Sequence, residues 1–351
     1  MAKATRAAQP AASWVQRLYD SVPIAPGWIG LGIALGLGAC FFAVEWALGR
    51  EALRLGGDVL ADSSESLIAL VLCAACGYVC TAYVSVVREA PRSVAELGPL
   101  LAGEVRELER RAATFPRGAL LVGGVLGLAT AALIPYLEVG DPSWQPYDWR
   151  SWEPEGAWHR VLAPALGWWV VRLFVVMVVS SQRLSQLADR IVSIDLLDLA
   201  PLAPFARKGL ANTFWLAGIV AFASLMLLDA PRYGGVIVLL VGATLAAAAA
   251  GMLLPVRGIH RRIRAAKREE LDRVNAAIRG DADALDATAL AARTERVTVT
   301  DLVAYRRLIE DVREWPLGAS TVFRFVLYLL IPVGSWAGGA LVERAVDALL
   351  D

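Results

Sequence analysis

Seven stretches of this chain run for about 20 mainly apolar residues, the length an α-helix needs to cross a hydrocarbon layer roughly 30 Å thick. They cover Trp28 to Leu48, Leu67 to Val87, Gly118 to Leu137, Val161 to Ser180, Leu210 to Leu228, Gly234 to Val256 and Ser320 to Leu341. Apolar residues make up 57% of the chain and charged ones 19%. Soluble proteins sit nearer half and a quarter, so most of this surface needs lipid rather than water around it. The pattern predicts an all-α polytopic membrane bundle of about seven transmembrane helices.

Basic and acidic side chains balance at 34 each, so no net charge recruits nucleic acid, and their positions carry the information. Counted on alternate sides of the seven stretches, 26 Lys and Arg fall on the side of the N-terminus and six on the other, with Arg172 and Arg324 inside spans. Basic residues in short connections stay cytoplasmic, which places the N-terminus inside and the C-terminus outside. Only three of the basic residues are lysine, and alanine is abundant, a composition expected of a G+C-rich bacterial genome and hence of a bacterial cytoplasmic (inner) membrane. Leu37-Gly38-Ala39-Cys40 has the look of a lipoprotein cleavage box. Too many residues precede it, however, and apolar sequence continues past it, so the first stretch reads as a retained helix. Cys40, Cys73, Cys76 and Cys80 all fall inside apolar stretches and read as buried thiols.

The connections on the inner side read as helical. Ser93 and Glu96 have the spacing of a capping box, followed by Leu97, Leu100, Leu101, Val105 and Leu108 on one face. The fourth connection continues as helix from Leu184 to Leu199 and breaks at Pro201 and Pro204. The sixth extends its span from Arg257 to Ile278, supported by Glu269 and Arg273 four apart, and closes at Gly280-Asp281. A second helix then sets Leu302, Tyr305, Ile309 and Val312 at heptad-like spacing and stops at Trp315-Pro316. The organisation expected is a membrane domain over 1–256, a cytoplasmic helical hairpin projecting from the bilayer over 257–316, and a last span with a short outer tail over 317–351.

No enzyme signature is present, and no catalytic residue, cofactor or metal is expected. The two histidines, His159 and His260, fall on opposite sides of the membrane; the run from Gly30 to Gly38 lacks the third glycine of a dinucleotide fingerprint; and no nucleophile elbow occurs. Small residues four apart (Gly32 and Gly36, Gly123 and Gly127, Gly242 with Ala246 and Ala250, Gly334 and Gly338) predict close helix packing within the chain.

Ionisable groups inside the bilayer are the stronger functional candidates, since an arginine at mid-membrane costs on the order of 3 kcal/mol. Arg172, near the middle of the fourth stretch, is expected to face the bundle interior or a wet cavity. Arg324 lies about a turn into the last span, placed either for a pathway or for snorkelling to headgroups, and Glu45 lies near the outer end of the first. Pro332 followed by Gly334 and Ser335 predicts a kinked last helix, suited to a pore or to close packing. Trp144, Tyr147, Trp149, Trp152 and Trp158, with Asp141, Asp148, Glu153 and Glu155, read either as an interfacial aromatic belt or as an extracytoplasmic ligand site. Arg257, Arg261, Arg262, Arg264, Lys267 and Arg268 cluster below the sixth span, a composition suited to anionic lipid.

Trp315-Pro316 followed by Tyr328-Leu329-Leu330-Ile331-Pro332-Val333-Gly334-Ser335-Trp336 looks like the tail of uncharacterised bacterial polytopic membrane proteins. In topology, seven spans with the N-terminus inside and a cytoplasmic helical extension before the last span resemble the superfamily of insect odorant and gustatory receptors. That resemblance implies an oligomeric cation channel whose last helix lines the pore and whose cytoplasmic extensions anchor the subunits. The leading expectation is therefore an oligomeric ion channel or channel-like pore, a homo-oligomer in the lipid bilayer. The second is a membrane sensor or scaffold with a cytoplasmic protein partner. The third is a secondary transporter, disfavoured by the absence of a repeat and of buried carboxylates for ion coupling.

Overall fold

The computed structural model describes residues 14–48, 64–138, 154–225, 234–294, 296–330 and Gly334. Among them the regular elements are helices: α1 (Trp14–Ser21), α2 (Pro26–Ala47), α3 (Ser64–Leu97), α4 (Val105–Ala113), α5 (Arg117–Glu138), α6 (Pro154–Leu187), α7 (Ala203–Leu225), α8 (Gly234–Ile278), α9 (Ala282–Asp286), α10 (Val299–Asp311) and α11 (Ala319–Leu330). Extended pairing among the described residues is limited to one antiparallel bridge, Leu101 with Ile191.

Among the described residues, five helical stretches are long and apolar enough to cross a membrane: Pro26–Ala47, Ile68–Leu100, Val105–Leu133, Trp158–Arg190 and Ala200–Leu225. The chain is thus built as a helical membrane bundle, as an integral membrane protein requires, and these stretches overlap the first five expected from sequence. The sixth expected stretch is the first half of α8, a single helix of 45 residues and about 67 Å at 1.5 Å per residue. The seventh begins in α11. Pro332, Ser335 and Gly338, the outer segment from Asp141 to Glu153 and the connection from Asp229 to Tyr233 lie outside the described residues.

Where the helices cross, backbones touch. A Cβ on Gly127 would stand 2.1 Å from the carbonyl oxygen of Gly167, and one on Gly30 would stand 2.7 Å from that of Gly77. Close approach of this kind is how helices gain contact when lipid offers no hydrophobic drive. Of the small-residue pairs expected from sequence, Gly123 and Gly127 do pack, on Val171, Val175 and Gly167 of α6. Gly32, Gly36 and Gly242 correct that expectation: each faces open space, with no atom within 4 Å among the described residues, and on α2 the contact face is set by Gly30 and Gly38 instead of Gly32 and Gly36.

The second, fourth and sixth connections do not stay apart. Val94, Leu97, Leu101 and Leu108 of the second, Leu187, Ile191 and Leu196 of the fourth, and Ile259, Ile263, Val274, Leu302, Tyr305 and Ile309 of the sixth form one buried core. Hydrogen bonds from Ala102 N to Arg190 O (2.9 Å) and from Val192 N to Leu100 O (3.1 Å) stitch the second connection to the fourth. The sequence pictured a hairpin standing off the bilayer. Instead α10 lies antiparallel along the second half of α8, and both are built into a cap at one end of the bundle. The heptad-like face of α10 is consumed there: Leu302, Tyr305 and Ile309 are 5% exposed or less. Two local readings change for the same reason. Ser93 does not cap a new helix but lies inside α3, which runs on to Leu97 with Pro91 in its interior. Pro204 sits in the first turn of α7 rather than breaking a helix, a position where a missing N–H costs nothing.

Glu270, 5% exposed, fixes the geometry of the cap: its Oε1 accepts from Tyr305 OH (3.1 Å) and Ala289 N (2.8 Å), and Arg273 Nη1 lies 3.4 Å from Oε2. Burial first, and the neighbouring Glu270 charge second, push the Tyr305 phenol above its ordinary value, so it remains a donor to that carboxylate. A capping box starts α10. Thr298 Oγ1 donates to Asp301 Oδ2 (2.6 Å) and accepts from Asp301 N (3.3 Å), while Thr298 N donates to the same carboxylate oxygen (2.9 Å). The Thr298 hydroxyl, then its backbone N–H, hold the Asp301 carboxyl below its ordinary value. Its contribution is complete above the unfolded value near 4 and is lost as pH falls through the lower folded one. Thr298→Ala is therefore expected to cost about 1 kcal/mol at neutral pH and to flatten the acid limb of stability, measured by thermal melting of the detergent-solubilised chain at neutral and acid pH.

Candidate functional site

Charges that the fold has taken out of water are the places where this bundle departs from inert packing. Arg172, on α6, is half-buried, with its guanidinium carbon 5.1 Å from the Trp168 ring centroid and 5.2 Å from that of Trp169. Two desolvated cation–π contacts of up to about 2 kcal/mol each offset the roughly 3 kcal/mol cost of an arginine at mid-membrane. Its Nε has no hydrogen-bond partner among the described residues. The rings are themselves held by the fold: Trp168 packs over Gly124 of α5, and Trp169 lies edge-on to Tyr83 of α3 at 5.3 Å.

Glu45 is fully buried on α2, one turn from Phe41, whose ring lies 5.9 Å from that of Trp158. The expectation that the bundle buries no carboxylate fails at this residue, where the C-terminal end of α2 meets α6 through Phe41 and Trp158. Arg324 is exposed on α11, one turn before Tyr328, which meets Phe214 at 5.2 Å. The structure does not bring Arg172, Arg324 and Glu45 together into one site.

The basic cluster on α8 divides by function. Lys267 Nζ donates to the carbonyls of Glu310 (2.6 Å) and Val312 (2.9 Å), closing the C-terminal end of α10, where acceptors are left over and the helix dipole favours a cation. Arg262 reaches the carbonyl of Ile191 at 3.4 Å, and Arg264 lies 3.7 Å from Glu314. Arg257, Arg261 and Arg268 remain exposed and, being four and eleven residues apart, share one face with Arg264.

The most buried cation among the described residues is one that sequence reasoning passed over. Lys208, in the second turn of α7, is 1% exposed, and its Nζ lies 3.5 Å from Glu89 Oε2 on α3. A lysine just before an apolar stretch reads as an interfacial charge; here the cap folds over it. Below it on α7, Asn212 donates to Ser181 Oγ (2.9 Å) and to the carbonyl of Gly251 (3.3 Å), while its own Oδ1 has no partner among the described residues. Above it lies a cavity of about 20 Å³ lined by Ser93, Ser180, Arg183 and Lys208 among apolar neighbours.

Comparison with protein-family models, curated proteins and solved structures returns no match for this chain. The chemistry of the site must therefore be read from its own residues. Among the described residues no three His, Cys, Asp or Glu side chains come together in a set able to hold a metal ion. What the arrangement offers is a buried lysine paired with a partly exposed glutamate, and a second cation, Arg183, where the helical bundle meets its cap.

Proposed function

We propose that the protein is an oligomeric, channel-like pore of a bacterial cytoplasmic membrane, with seven spans, the N-terminus and the helical cap on the cytoplasmic side, and a pathway along the last helix. The observation that carries this reading is α11. It meets the bundle through one side, Tyr328 on Phe214 and Leu329 against the core that holds Leu173 and Leu216, and leaves Val322, Phe323, Arg324 and Val326 exposed. An exposed arginine on an apolar helix is costly against lipid and favourable against water or a neighbouring subunit. The 26-to-six distribution of basic residues supports the orientation, and the topological likeness to the seven-helix channel superfamily supports the architecture. No chemical step is assigned to the chain in this reading. Purified protein in planar bilayers is expected to carry a current whose amplitude or selectivity changes in Arg324→Gln. A protein that stays monomeric and silent overturns it.

A second reading, a membrane sensor or scaffold for a cytoplasmic partner, is favoured by the cap itself, since joining three connections in one core makes a rigid body on one face. The exposed stripe of Arg257, Arg261 and Arg268 is then the surface for anionic lipid or for an acidic partner. Anionic-vesicle binding that survives changing all three to Gln counts against lipid contact at this stripe.

A further inference from the structure

We infer that the exposed face of α8 is a binding site for one anionic phospholipid of the leaflet next to the cap, its acyl chains along Ala246, Ala250 and Leu253 and its phosphate held by Arg257, Arg261 and Arg264. At 3.6 residues per turn these side chains, with Arg268, fall within about 80° of one another. All of them are exposed, whereas Met252, Val256, Ile259 and Ile263, on the opposite side, are buried against the bundle and its cap. Along this one strip the chemistry changes once, from small and apolar to arginine, between Leu253 and Arg257. No Asp or Glu occurs in α8 before Glu269. A helix face that leaves hydrocarbon and enters a layer of anionic headgroups changes in that order.

A second observation marks the same level. Trp315, 41% exposed, stacks on His260 at 4.1 Å, within a turn of Arg257, and the apolar helix α11 begins four residues later at Ala319. A half-exposed tryptophan beside the start of an apolar helix is characteristic of the membrane–water boundary. Arg257, Arg261 and Arg268 have no carboxylate partner among the described residues, and Arg264 has a loose one, Glu314 at 3.7 Å, with both side chains partly exposed. His260 Nδ1 donates to the Glu314 carbonyl (3.0 Å), which keeps that residue at the edge of the strip. Glu314 is thus the chain's own competitor for an arginine that the phosphate uses. Continuity with the apolar part of the strip decides for a lipid over an acidic polypeptide, which gains nothing from Ala246, Ala250 and Leu253.

The inference deepens the second reading above and rests on its arginine stripe alone: an absent current or an absent cytoplasmic partner leaves it standing, and an absent lipid site leaves the pore standing. Full-length protein in neutral detergent is titrated with phosphatidylglycerol or phosphatidylcholine, and bound lipids are counted by native mass spectrometry. Phosphatidylglycerol is expected to fill one site saturably and to bind more tightly than phosphatidylcholine. Arg257→Gln, Arg261→Gln and Arg264→Gln are each expected to weaken that affinity about fivefold, the equivalent of about 1 kcal/mol. Arg307→Gln, at an exposed position on α10 away from the strip, is expected to leave it unchanged. Glu314→Gln, which frees Arg264, is expected to raise it by up to about fivefold. All these side chains are at least partly exposed, so the melting temperature should hold in every variant. Equal affinity for the two lipids, or phosphatidylglycerol binding unchanged in the triple arginine variant, overturns the proposal. Affinity unchanged or lowered in Glu314→Gln overturns the competition. Displacement of the lipid by equimolar glycerol phosphate or polyglutamate means that the apolar strip contributes nothing, and overturns the assignment to a lipid.

Discussion

Glu89→Ala is expected to destabilise the solubilised protein by about 3–5 kcal/mol, the cost of leaving a buried ion without its counter-charge. Lys208 is the residue that suffers: at 1% exposure its ammonium cannot recover water, and its carboxylate partner among the described residues is Glu89, 3.5 Å away. The pair itself is not strongly stabilising. Desolvation of two ions offsets most of their attraction, so replacing both by apolar residues of similar volume, Glu89→Leu with Lys208→Met, is expected to restore stability to wild type or above. Unfolding of the two single variants and the double variant, followed by melting in detergent, gives the coupling between the two side chains. A Glu89→Ala protein as stable as wild type means that water reaches Lys208, and the sealed junction described here does not exist in solution.

Gly258→Val is expected to separate α8 from α6 and to cost more than the 1–3 kcal/mol typical of an overpacked core. A Cβ at this position would lie 1.9 Å from the carbonyl oxygen of Ser185 and 2.7 Å from its carbonyl carbon. Backbone cannot rotate aside as a side chain can, so the two long helices must part where the cap joins the bundle. Ile259 and Ile263 on α8 and Leu184 and Leu187 on α6 lose their packing together. Gly36→Ala is the matched control. A Cβ there meets nothing within 4 Å, and alanine is favoured over glycine in a helix by up to about 1 kcal/mol. Yield of monodisperse protein and melting temperature should fall for Gly258→Val and hold or rise for Gly36→Ala.

These glycines illustrate which features could be read from sequence. Spacing of four singled out Gly123 and Gly127, which do touch another helix, and Gly32 and Gly36, which do not, and it passed over Gly30, Gly167 and Gly258, because periodicity identifies a face without saying what lies opposite it. The same holds for charge. Arg172 stood out by lying inside an apolar stretch, and it does occupy an aromatic setting. Lys208 did not stand out, since a lysine at the start of a span is ordinarily wet. Lys267 and Arg262, read as lipid contacts, turn out to satisfy carbonyls of Glu310, Val312 and Ile191, acceptors contributed by segments remote in sequence.

Local sequence determined the solvent and the elements. Twenty apolar residues in succession must become a helix in lipid, whatever surrounds them, and the break at Gly280, with φ +96°, and the capping box at Thr298 are decided by residues within a turn of each other. Tertiary structure alone decided that three connections share one core and that Lys208 is buried beside Glu89. Burial is a property of the whole assembly of helices, so the groups on which function depends become visible only when residues far apart in the chain close around them.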